Sequence, residues 1–293
     1  EKIMLTVLGE KAALRTPCAL LLGAFDGFHI GHLTLLEEAK RTGYPVAALT
    51  IFGGKQGGAL FLPAERRALL HRLGVSYTLE YGFTDGFRDT PAENFLGALF
   101  SRICTGAVFC GEDFRFGAGA AGTPALLRRM APCPVTVLPL REAGGEKVSS
   151  TRIKKMLAEA DMGGANSLLC VPYFIQGAVE HGRHVGSKLG FPTLNLSLPA
   201  EKTLPKEGVY GGHAQTPAGE FPAIVNIGPR PTFGVAEKKI EAYLEGFSGN
   251  LYGETVRVFP ETYYRPTTAF PSAEALREQL AKDICRLRTE KGA

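Results

Sequence analysis

The 293-residue sequence predicts an α/β domain with a parallel sheet, followed by a β domain that ends in one helix. Length is the first reason, because a typical domain has about 150 residues and this chain has nearly twice that number. The pattern of apolar residues is the second, since short apolar runs alternate with helical periodicity in the first half only. Composition agrees: 45% hydrophobic and 21% charged residues, with 36 glycines and 19 prolines, indicate a loop-rich globular protein.

Five apolar runs in the first half are each followed by a helical pattern. Nearly continuous apolar strands between helices favour a parallel sheet covered on both faces, in which ligands bind beyond the carboxyl ends of the strands. Thr90, Pro91 and Glu93 predict an N-cap, a first-turn proline and a capping glutamate for the third helix. The predicted strands are 18–22, 46–51, 75–79, 107–110 and 135–138, and the predicted helices are 32–40, 64–73, 91–103, 124–130 and 152–160.

The pattern changes at residues 161–164, which predicts a boundary between domains of residues 1–162 and 163–293. Short, turn-bounded runs then follow, as expected of an antiparallel barrel or sandwich. Ser272 predicts the N-cap of a final helix whose apolar stripe packs on the β domain. The runs are 173–179, 209–214, 223–227, 240–244 and 255–259, and the stripe comprises Leu276, Leu280, Ile284 and Leu287.

Several classes of protein are disfavoured by composition. The apolar runs are far shorter than the ~20 residues of a membrane span, and no secretory signal pattern is visible. The six cysteines form no C-x-x-C pair, so we expect reduced thiols in a cytoplasmic protein. The net charge of +4 comes from the first 160 residues, which have 19 basic and 15 acidic side chains without a long basic block. Small anions are therefore expected as ligands, rather than nucleic acid.

A glycine-rich turn follows the first predicted strand and delivers the motif H-x-G-H to the first turn of a helix. A helix N-terminus attracts phosphate, and two imidazoles there can donate hydrogen bonds to an α-phosphate as charge builds on it. We therefore predict catalytic roles for His29 and His32. A metal site is the other candidate for this pair, although no third ligand is evident nearby. The phosphate-binding residues predicted in this turn are Gly23, Phe25, Asp26 and Gly31.

Three further segments resemble binding motifs. Ser150, Thr151 and Lys154 open an amphipathic helix, where hydroxyls and cations suit a triphosphate, although helix capping explains the hydroxyls equally well. Residues 117–122 match G-x-G-x-x-G, but residues 111–116 separate them from the preceding strand, which disfavours a dinucleotide site. Residues 182–188 lack the glycine spacing of a P-loop and do not lie in a βα context.

Taken together, the motifs of the two halves resemble those of the bacterial bifunctional riboflavin kinase and FMN adenylyltransferase family. The first half contains G-A-F-D-G-F-H-I-G-H, G-E-D-F-R-F-G and S-S-T-R-I-K, and the second contains G-F-P-T-L-N, N-I-G-P-R-P-T-F and L-Y-G. The resemblance covers nearly the whole chain. It implies a Rossmann-like nucleotidyltransferase domain, which converts FMN to FAD with release of pyrophosphate. It also implies a riboflavin kinase-like antiparallel β-barrel with a terminal helix, and Mg-ATP as co-substrate of both reactions.

The resemblance also implies roles for single residues. In the adenylyltransferase, His29 and His32 would stabilise the α-phosphate of ATP. In the kinase, Thr193 and Asn195 would hold magnesium and the ATP phosphates, and Glu241 would be the general base on the ribityl hydroxyl. The other implied residues are Ser150, Thr151, Lys154, Gly182 and Gly190 for ATP, and Gly111, Asp113, Phe116, Arg230, Thr232 and Arg265 for the flavin.

One segment departs from the family pattern. Where the family usually has T-F-x-P-H-P, this chain has T-I-F-G-G-K-Q-G-G, so the histidine is missing. An alternative is therefore a monofunctional riboflavin kinase with a degenerate, non-catalytic adenylyltransferase domain, whereas His29 and His32 favour two activities. A flavin-responsive binding protein is a third hypothesis, against which Thr193, Asn195 and Glu241 argue. The expected partners are small flavins and nucleotides, with neither nucleic acid nor membrane.

Overall fold

The computed structural model describes residues 5–53, 58–181, 191–230 and 237–292. The chain divides into two compact units, Glu1–Arg152 and Ile153–Ala293. This division lies within the helix Ser150–Ala158. The boundary after residue 162, which the sequence suggested, stays a prediction.

The first unit contains a six-stranded, entirely parallel sheet. Its strands are β1 (Thr6–Gly9), β2 (Leu14–Leu22), β3 (Val46–Phe52), β4 (Tyr77–Gly82), β5 (Ile103–Gly111) and β6 (Val135–Leu138). The helices are α1 (Ile30–Lys40), α2 (Pro63–Arg72), α3 (Asp85–Arg88), α4 (Ala92–Arg102) and α5 (Pro124–Met130), and α6 (Ser150–Ala158) begins in this unit and continues into the second. A hairpin of β7 (Glu142–Ala143) and β8 (Glu146–Lys147) precedes α6. The predicted parallel α/β architecture is confirmed.

The strands lie in the order β1-β4-β3-β2-β5-β6, which reverses direction at β2. The glycine-rich turn that follows β2 therefore lies at a topological switch point. From β2 the chain runs outward to β3 and β4, and it then returns to form β5 on the other side of β2. Leu21 of β2 is paired with Phe109 of β5, so the two strands end side by side. Ligands of open parallel sheets bind where the strand order reverses in this way. The loops that follow β2 and β5 therefore share one edge of the sheet.

Two local predictions in this unit need correction. The predicted capping box at Thr90 is wrong, because α4 begins at Ala92 with Pro91 as its N-cap. The hydroxyl of Thr90 instead donates a hydrogen bond to the carbonyl of Gly86, 2.7 Å away. Strand β1 was missed, since it is a short edge strand whose residues are mostly exposed and carry no buried apolar run.

The second unit contains a closed, six-stranded antiparallel barrel. Its strands are β9 (Ile175–Glu180), β10 (Thr193–Ser197), β11 (Gly208–Thr216), β12 (Gly219–Arg230), β13 (Glu237–Leu244) and β14 (Thr255–Arg265). The order around the barrel is β10-β13-β12-β11-β14-β9. Helix α7 (Met162–Leu168) precedes the barrel and helix α8 (Ala273–Lys291) follows it. The barrel that the family resemblance implied is thus confirmed, and the sandwich is excluded.

Helix α8 packs its apolar stripe on the outside of the barrel, as the sequence predicts. The hydroxyl of Ser272 accepts a hydrogen bond from the backbone N–H of Ala275 at 3.1 Å, so Ser272 is the N-cap. Ile284 and Leu287 are buried against Val209 and Ile224 of the barrel wall. This helix covers one part of the outer barrel surface.

The six cysteines are all free thiols. Cys18 and Cys110 are buried in the first unit, whereas Cys104 and Cys285 are exposed. Burial raises the pKa of Cys18 to about 12 and that of Cys110 to about 11. Across the described ranges, no helix combines the length and the apolar character that a membrane crossing requires.

Candidate active sites

The turn after β2 is held in an unusual backbone conformation. Phe25 and Phe28 have φ angles of 46° and 36°, in the left-handed region that non-glycine residues rarely adopt. Both side chains are completely buried, and their rings stack with centroids 5.5 Å apart. Strain of this kind persists where the surrounding packing fixes the backbone, and it is concentrated at functional sites.

This turn places two imidazoles at the N-terminus of α1. His29 occupies the N-cap position, and its ring stacks on that of His32 with centroids 3.7 Å apart and planes 15° apart. Gly31 lies between them in sequence, and a Cβ atom there would be 3.2 Å from Nδ1 of His29. The structure therefore brings the two predicted catalytic histidines together at the positive end of a helix.

Two of the predicted phosphate-binding residues in the turn have internal contacts. Asp26 is 2% exposed, and its carboxylate accepts a hydrogen bond from the backbone N–H of Leu60 at 3.0 Å. Phe25 lies with its ring against Gly23, where a Cβ atom would be 3.1 Å from the ring edge. These contacts shape the turn, and the phosphate-binding roles of Asp26 and Phe25 stay predictions.

The loop after β5 contains the predicted flavin-binding residues Gly111, Asp113 and Phe116. Asp113 forms a salt bridge with Lys147 of the β7–β8 hairpin, and both side chains are nearly half exposed. Phe116 is buried in the core of the unit and stacks on Phe114 with centroids 5.4 Å apart. Asp113 thus faces solvent at this edge of the sheet, whereas Phe116 packs in the core, and the flavin-binding roles of both residues stay predictions.

Helix α6 carries Ser150, Thr151 and Lys154 in its first turns. The helix is capped by Ser149, whose hydroxyl accepts the backbone N–H of Arg152 at 3.2 Å. Helix capping was the alternative explanation for the hydroxyls of Ser150 and Thr151. The structure assigns that capping role to Ser149 instead. The guanidinium of Arg152 donates to carbonyls of the β7–β8 hairpin at 2.8 and 2.9 Å, which holds the hairpin against α6.

The glycine-rich segment after this loop has a packing explanation. A Cβ atom at Gly117 would lie 2.6 Å from the Cα of Ala92, and one at Gly122 would lie 2.5 Å from the ring of Phe116. The strand β5 ends at Gly111, so no strand leads directly into these glycines. Close packing, rather than a dinucleotide, accounts for the motif G-x-G-x-x-G.

On the barrel, a row of polar residues crosses three neighbouring strands. Glu241 of β13 is paired with Asn195 of β10 on one side and with Asn226 of β12 on the other. Directly opposed residues of an antiparallel pair project on the same face, with Cβ atoms roughly 5 Å apart. The carboxylate of Glu241 forms a salt bridge with Lys239, and about a third of each side chain is exposed. The predicted base is therefore accessible and flanked by two amides.

Asn195 and Thr193 lie two residues apart in β10 and so share one face of the strand. The Oδ1 atom of Asn195 is buried, and it has no hydrogen-bond partner in the part of the chain that the structure describes. Amide and hydroxyl oxygens are ligands that Mg²⁺ accepts, together with phosphate oxygens. This orphaned oxygen fits the predicted magnesium and phosphate role of Asn195.

Arg265, a predicted flavin-binding residue, is engaged within the second unit. Its Nη2 atom lies 2.8 Å from Oδ2 of Asp283 in α8, and the two side chains are 18% and 6% exposed. The barrel and the helix are joined by this ion pair. Gly182, Gly190, Thr232 and the side chain of Arg230 lie outside the described residues, so their predicted roles stay predictions.

Comparison with known proteins accounts for both units. The riboflavin kinase family model matches residues 169–290, and the FAD synthetase family model matches residues 11–152. A bifunctional riboflavin kinase/FMN adenylyltransferase from Escherichia coli strain K12 is 32% identical over 286 residues, covering 91% of this chain and 90% of that protein. The chain belongs to the bifunctional riboflavin kinase/FMN adenylyltransferase family. Both activities of this family are supported, and the monofunctional alternative is not favoured.

A second relative and one solved structure are also similar over nearly the whole chain. The protein of the same name from Haemophilus influenzae is 31% identical and covers 91% of this chain and 92% of its own length. The crystal structure of a protein from Streptococcus pneumoniae, named there as a macrolide-efflux protein, has a TM-score of 0.87 and 27% identity, covering 96% of this chain and 98% of that one. The similarity to this solved structure thus includes residues of both units.

Two residues, Asn226 and Arg66, received no role from the sequence, yet the structure connects them to these sites. Asn226 lies beside Glu241 in the register, and its Oδ1 accepts a hydrogen bond from the hydroxyl of Thr267 at 3.1 Å. Two features of the sequence could have indicated Asn226. It is a single polar residue between Val225 and Ile227, which are both fully buried, and it begins the motif N-I-G-P-R-P-T-F. Arg66 is a buried cation of α2, on the same helix face as the apolar residues Leu69 and Leu70.

Proposed function

We propose that this chain converts riboflavin to FMN in the barrel unit and FMN to FAD in the parallel-sheet unit, with ATP as the co-substrate of both reactions. One observation carries the proposal. Each unit presents its own cluster of reactive side chains, and each cluster lies within the residues matched by the corresponding family model.

In the kinase reaction, the terminal ribityl hydroxyl attacks the γ-phosphorus of ATP. A new P–O bond forms, the bond to the β–γ bridging oxygen breaks, and ADP leaves. Glu241 is positioned to accept the hydroxyl proton, because its carboxylate is accessible at the centre of the polar row. Phosphoryl transfer depends mainly on positioning and charge neutralisation, so a single carboxylate is a chemically reasonable general base.

Thr193 and Asn195 would hold Mg²⁺ and the ATP phosphates in this site. The orphaned, buried Oδ1 of Asn195 supports that assignment. When bound, the ion supplies neutralisation of the phosphate charge. Asn226, with its carbonyl oxygen engaged by Thr267, directs its amide N–H groups away from Thr267.

In the adenylyltransferase reaction, a phosphate oxygen of FMN attacks the α-phosphorus of ATP. The P–O–P linkage to pyrophosphate breaks, and pyrophosphate leaves as FAD forms. His29 and His32 stand at the N-terminus of α1, where imidazole N–H groups and the helix dipole stabilise charge on the α-phosphate. Gly23 and Gly31 leave room for the nucleotide to approach this turn.

The remaining predicted residues have supporting roles in this proposal. Ser150, Thr151 and Lys154 hold the ATP phosphates from the start of α6, since the capping function belongs to Ser149. Gly111 and Asp113 contact the flavin or nucleotide at the end of β5. The chemistry takes place in the cytoplasm, which the six free thiols support.

Chromatography of flavins after incubation with Mg-ATP tests the proposal. We expect FMN and FAD from the sample supplied with riboflavin, and FAD from the sample supplied with FMN. Omission of ATP is the control for both. A sample supplied with FMN that stays unchanged would show that the parallel-sheet unit does not catalyse adenylyl transfer.

A further inference from the structure

Arg66 is a buried cation in the first unit with no part in the proposed chemistry. Only 3% of its surface is exposed. Arginine is almost never fully buried unless its charge and its N–H groups are satisfied, because burial of a free cation is costly. Its surroundings should therefore show why a guanidinium is required there.

The guanidinium is satisfied by backbone carbonyls from three different segments. Its Nη1 atom donates to the carbonyl of Ala24 at 3.1 Å and to that of Ile51 at 3.0 Å, and its Nε atom donates to that of Phe61 at 3.2 Å. Ala24 lies in the turn after β2, Ile51 lies near the end of β3, and Phe61 comes just before α2. One rigid, planar group thus joins three chain segments at the carboxyl edge of the sheet.

The charge of this group is maintained at neutral pH. Burial lowers the pKa of Arg66 to about 10, while Asp26, Glu80 and Glu65 oppose that change. The guanidinium carbon also lies 4.1 Å from the centre of the Phe52 ring, a favourable cation–π contact. Arg66 consequently acts as a charged clamp.

The clamp acts on the peptide that leads into the strained turn. The carbonyl of Ala24 belongs to the peptide bond before Phe25, whose φ of 46° is costly for a side-chain-bearing residue. Ile51 and Phe61 flank residues 53–58, the segment in which this chain departs from the family motif T-F-x-P-H-P. The guanidinium therefore fixes both the histidine-bearing turn and the two ends of the divergent segment.

We propose that Arg66 is a positioning residue for adenylyl transfer, which sets the backbone that presents His29 and His32 to the α-phosphate. The proposal rests on the proposed adenylyltransferase function of the first unit. Arg66 acts through the Ala24 peptide and touches no reacting atom. A displacement of about 1 Å in a catalytic group can cost about 100-fold in rate, so loss of the clamp should appear in kcat.

The test compares Arg66→Ala and Arg66→Lys with Arg67→Ala in the full chain. Arg67 is the neighbouring arginine of α2, and its guanidinium forms a surface ion pair with Glu80 instead. The kcat and KM for FAD formation from FMN are measured well below the melting temperature of each variant. Circular dichroism of the same sample reports the amount of folded protein, and riboflavin kinase activity reports that the barrel unit is intact.

We expect Arg66→Ala to lower kcat for FAD formation by about 100-fold, and Arg66→Lys by about 10-fold, because an ammonium group cannot reproduce the planar fork. Added guanidinium ion should restore part of the activity of Arg66→Ala. Arg67→Ala should retain both activities. If Arg66→Ala fails to fold, the kcat of Arg66→Lys for FAD formation tests the proposal.

Two results would overturn the inference. A kcat of Arg66→Lys within twofold of the wild type would show that the guanidinium geometry is not needed. A lower melting temperature with unchanged kcat in both Arg66 variants would assign the residue to stability alone. Failure of the wild-type chain to form FAD from FMN is a separate outcome, and it would remove the proposed adenylyltransferase function and this inference together.

Discussion

Glu241, the proposed general base, lies in an ordinary strand, and neighbouring strands provide its polar surroundings. Its sequence context, K-I-E-A-Y, is a plain alternation of outward and inward side chains in β13. The register adds an asparagine on each side, so the carboxylate lies in a polar row on the outer barrel surface. Lys239, next to it on the same strand, forms a salt bridge with this carboxylate.

The variant Glu241→Gln tests this role. Glutamine preserves the volume of the side chain but cannot accept the ribityl proton, so we expect FMN formation to fall by about 100-fold or more. FAD formation from supplied FMN should be unchanged, because it takes place in the other unit. Glu254→Gln, an exposed glutamate just before β14, is the matched control. Equal rates of FMN formation in Glu241→Gln and the wild type would assign the base to another group.

Gly31→Ala separates the geometry of the histidine pair from the stability of α1. Alanine in a helix is normally more stable than glycine by about 1 kcal/mol. The added Cβ atom, however, would lie 3.2 Å from Nδ1 of His29 and must displace that ring. We expect FAD formation to fall by about 10-fold with no loss of melting temperature and no change in kinase activity.

Gly97→Ala in α4 is the control for that experiment, since a Cβ atom there meets nothing within 4 Å. It should leave both activities unchanged. Retained FAD formation in Gly31→Ala would indicate that the His29 ring is free to move without a catalytic cost.

At the scale of elements, helix α8 is attached to the barrel by both apolar packing and a buried ion pair. Asp283 is 5% exposed and accepts hydrogen bonds from Arg265 and from Gln279 of its own helix. The pair fixes the rotation of the helix, since its apolar stripe alone would tolerate small shifts.

Asp283→Asn should therefore destabilise the second unit. Removal of one partner leaves the half-buried Arg265 charge uncompensated, and such changes cost about 3 kcal/mol. Urea unfolding followed by circular dichroism measures the effect, because the chain has no tryptophan. Glu278→Gln, which is exposed on the same helix, should change the unfolding free energy by less than about 0.5 kcal/mol. Similar midpoints for the two variants would contradict the role of the ion pair.

The sequence predicts most elements of this fold because their apolar patterns are local. The bounds of α5 and β6 agree with the predicted ranges, and the remaining strands of the parallel sheet differ mainly in length. Strand β10 was not predicted, since the run T-L-N-L-S has only two apolar residues and gains its place by pairing with β9 and β13. Edge strand β1 was not predicted either, because its residues are mostly exposed and carry no buried apolar run.

The residues of the candidate sites likewise fall into two groups, those that a local motif identifies and those that only tertiary contacts reveal. His29 and His32 are only three positions apart in sequence, so their motif alone identifies them. Arg66 and its acceptor Ala24 are 42 positions apart, and the contact exists only once β2 and α2 are placed together. The ion pair of Arg265 with Asp283 of α8 likewise depends on the tertiary structure, and the flavin-binding role of Arg265 stays a prediction. Contacts of this kind depend on tertiary structure, which no local pattern encodes.

At the scale of the whole molecule, each unit has a hydrophobic core of its own. The first is centred on the parallel sheet and includes Leu20, which is fully buried. The second fills the barrel and includes Ile227, also fully buried. A chain with separate cores does not have to unfold in one step. The two enzyme activities therefore offer independent reports on the two units.

We expect Leu20→Ala to lower the temperature at which adenylyltransferase activity is lost, and Ile227→Ala to do the same for kinase activity alone. Each truncation leaves a cavity that costs about 2–5 kcal/mol. Residual activities after brief heating of the same sample measure both effects, and each variant serves as the control for the other. Parallel loss of both activities in either variant would show that the chain unfolds as one cooperative body.

The distribution of thiols makes the chain suitable for spectroscopic labelling. Cys104 and Cys285 are exposed, one in each unit, whereas burial keeps Cys18 and Cys110 protonated at neutral pH. Maleimide reagents react with accessible thiolates, so they should modify the exposed pair first. A donor and an acceptor dye on Cys104 and Cys285, with the half-buried Cys133 and Cys170 replaced by serine, would turn the natural sequence into a distance sensor. Such a sensor would follow the separation of the two units while the enzyme turns over riboflavin and FMN.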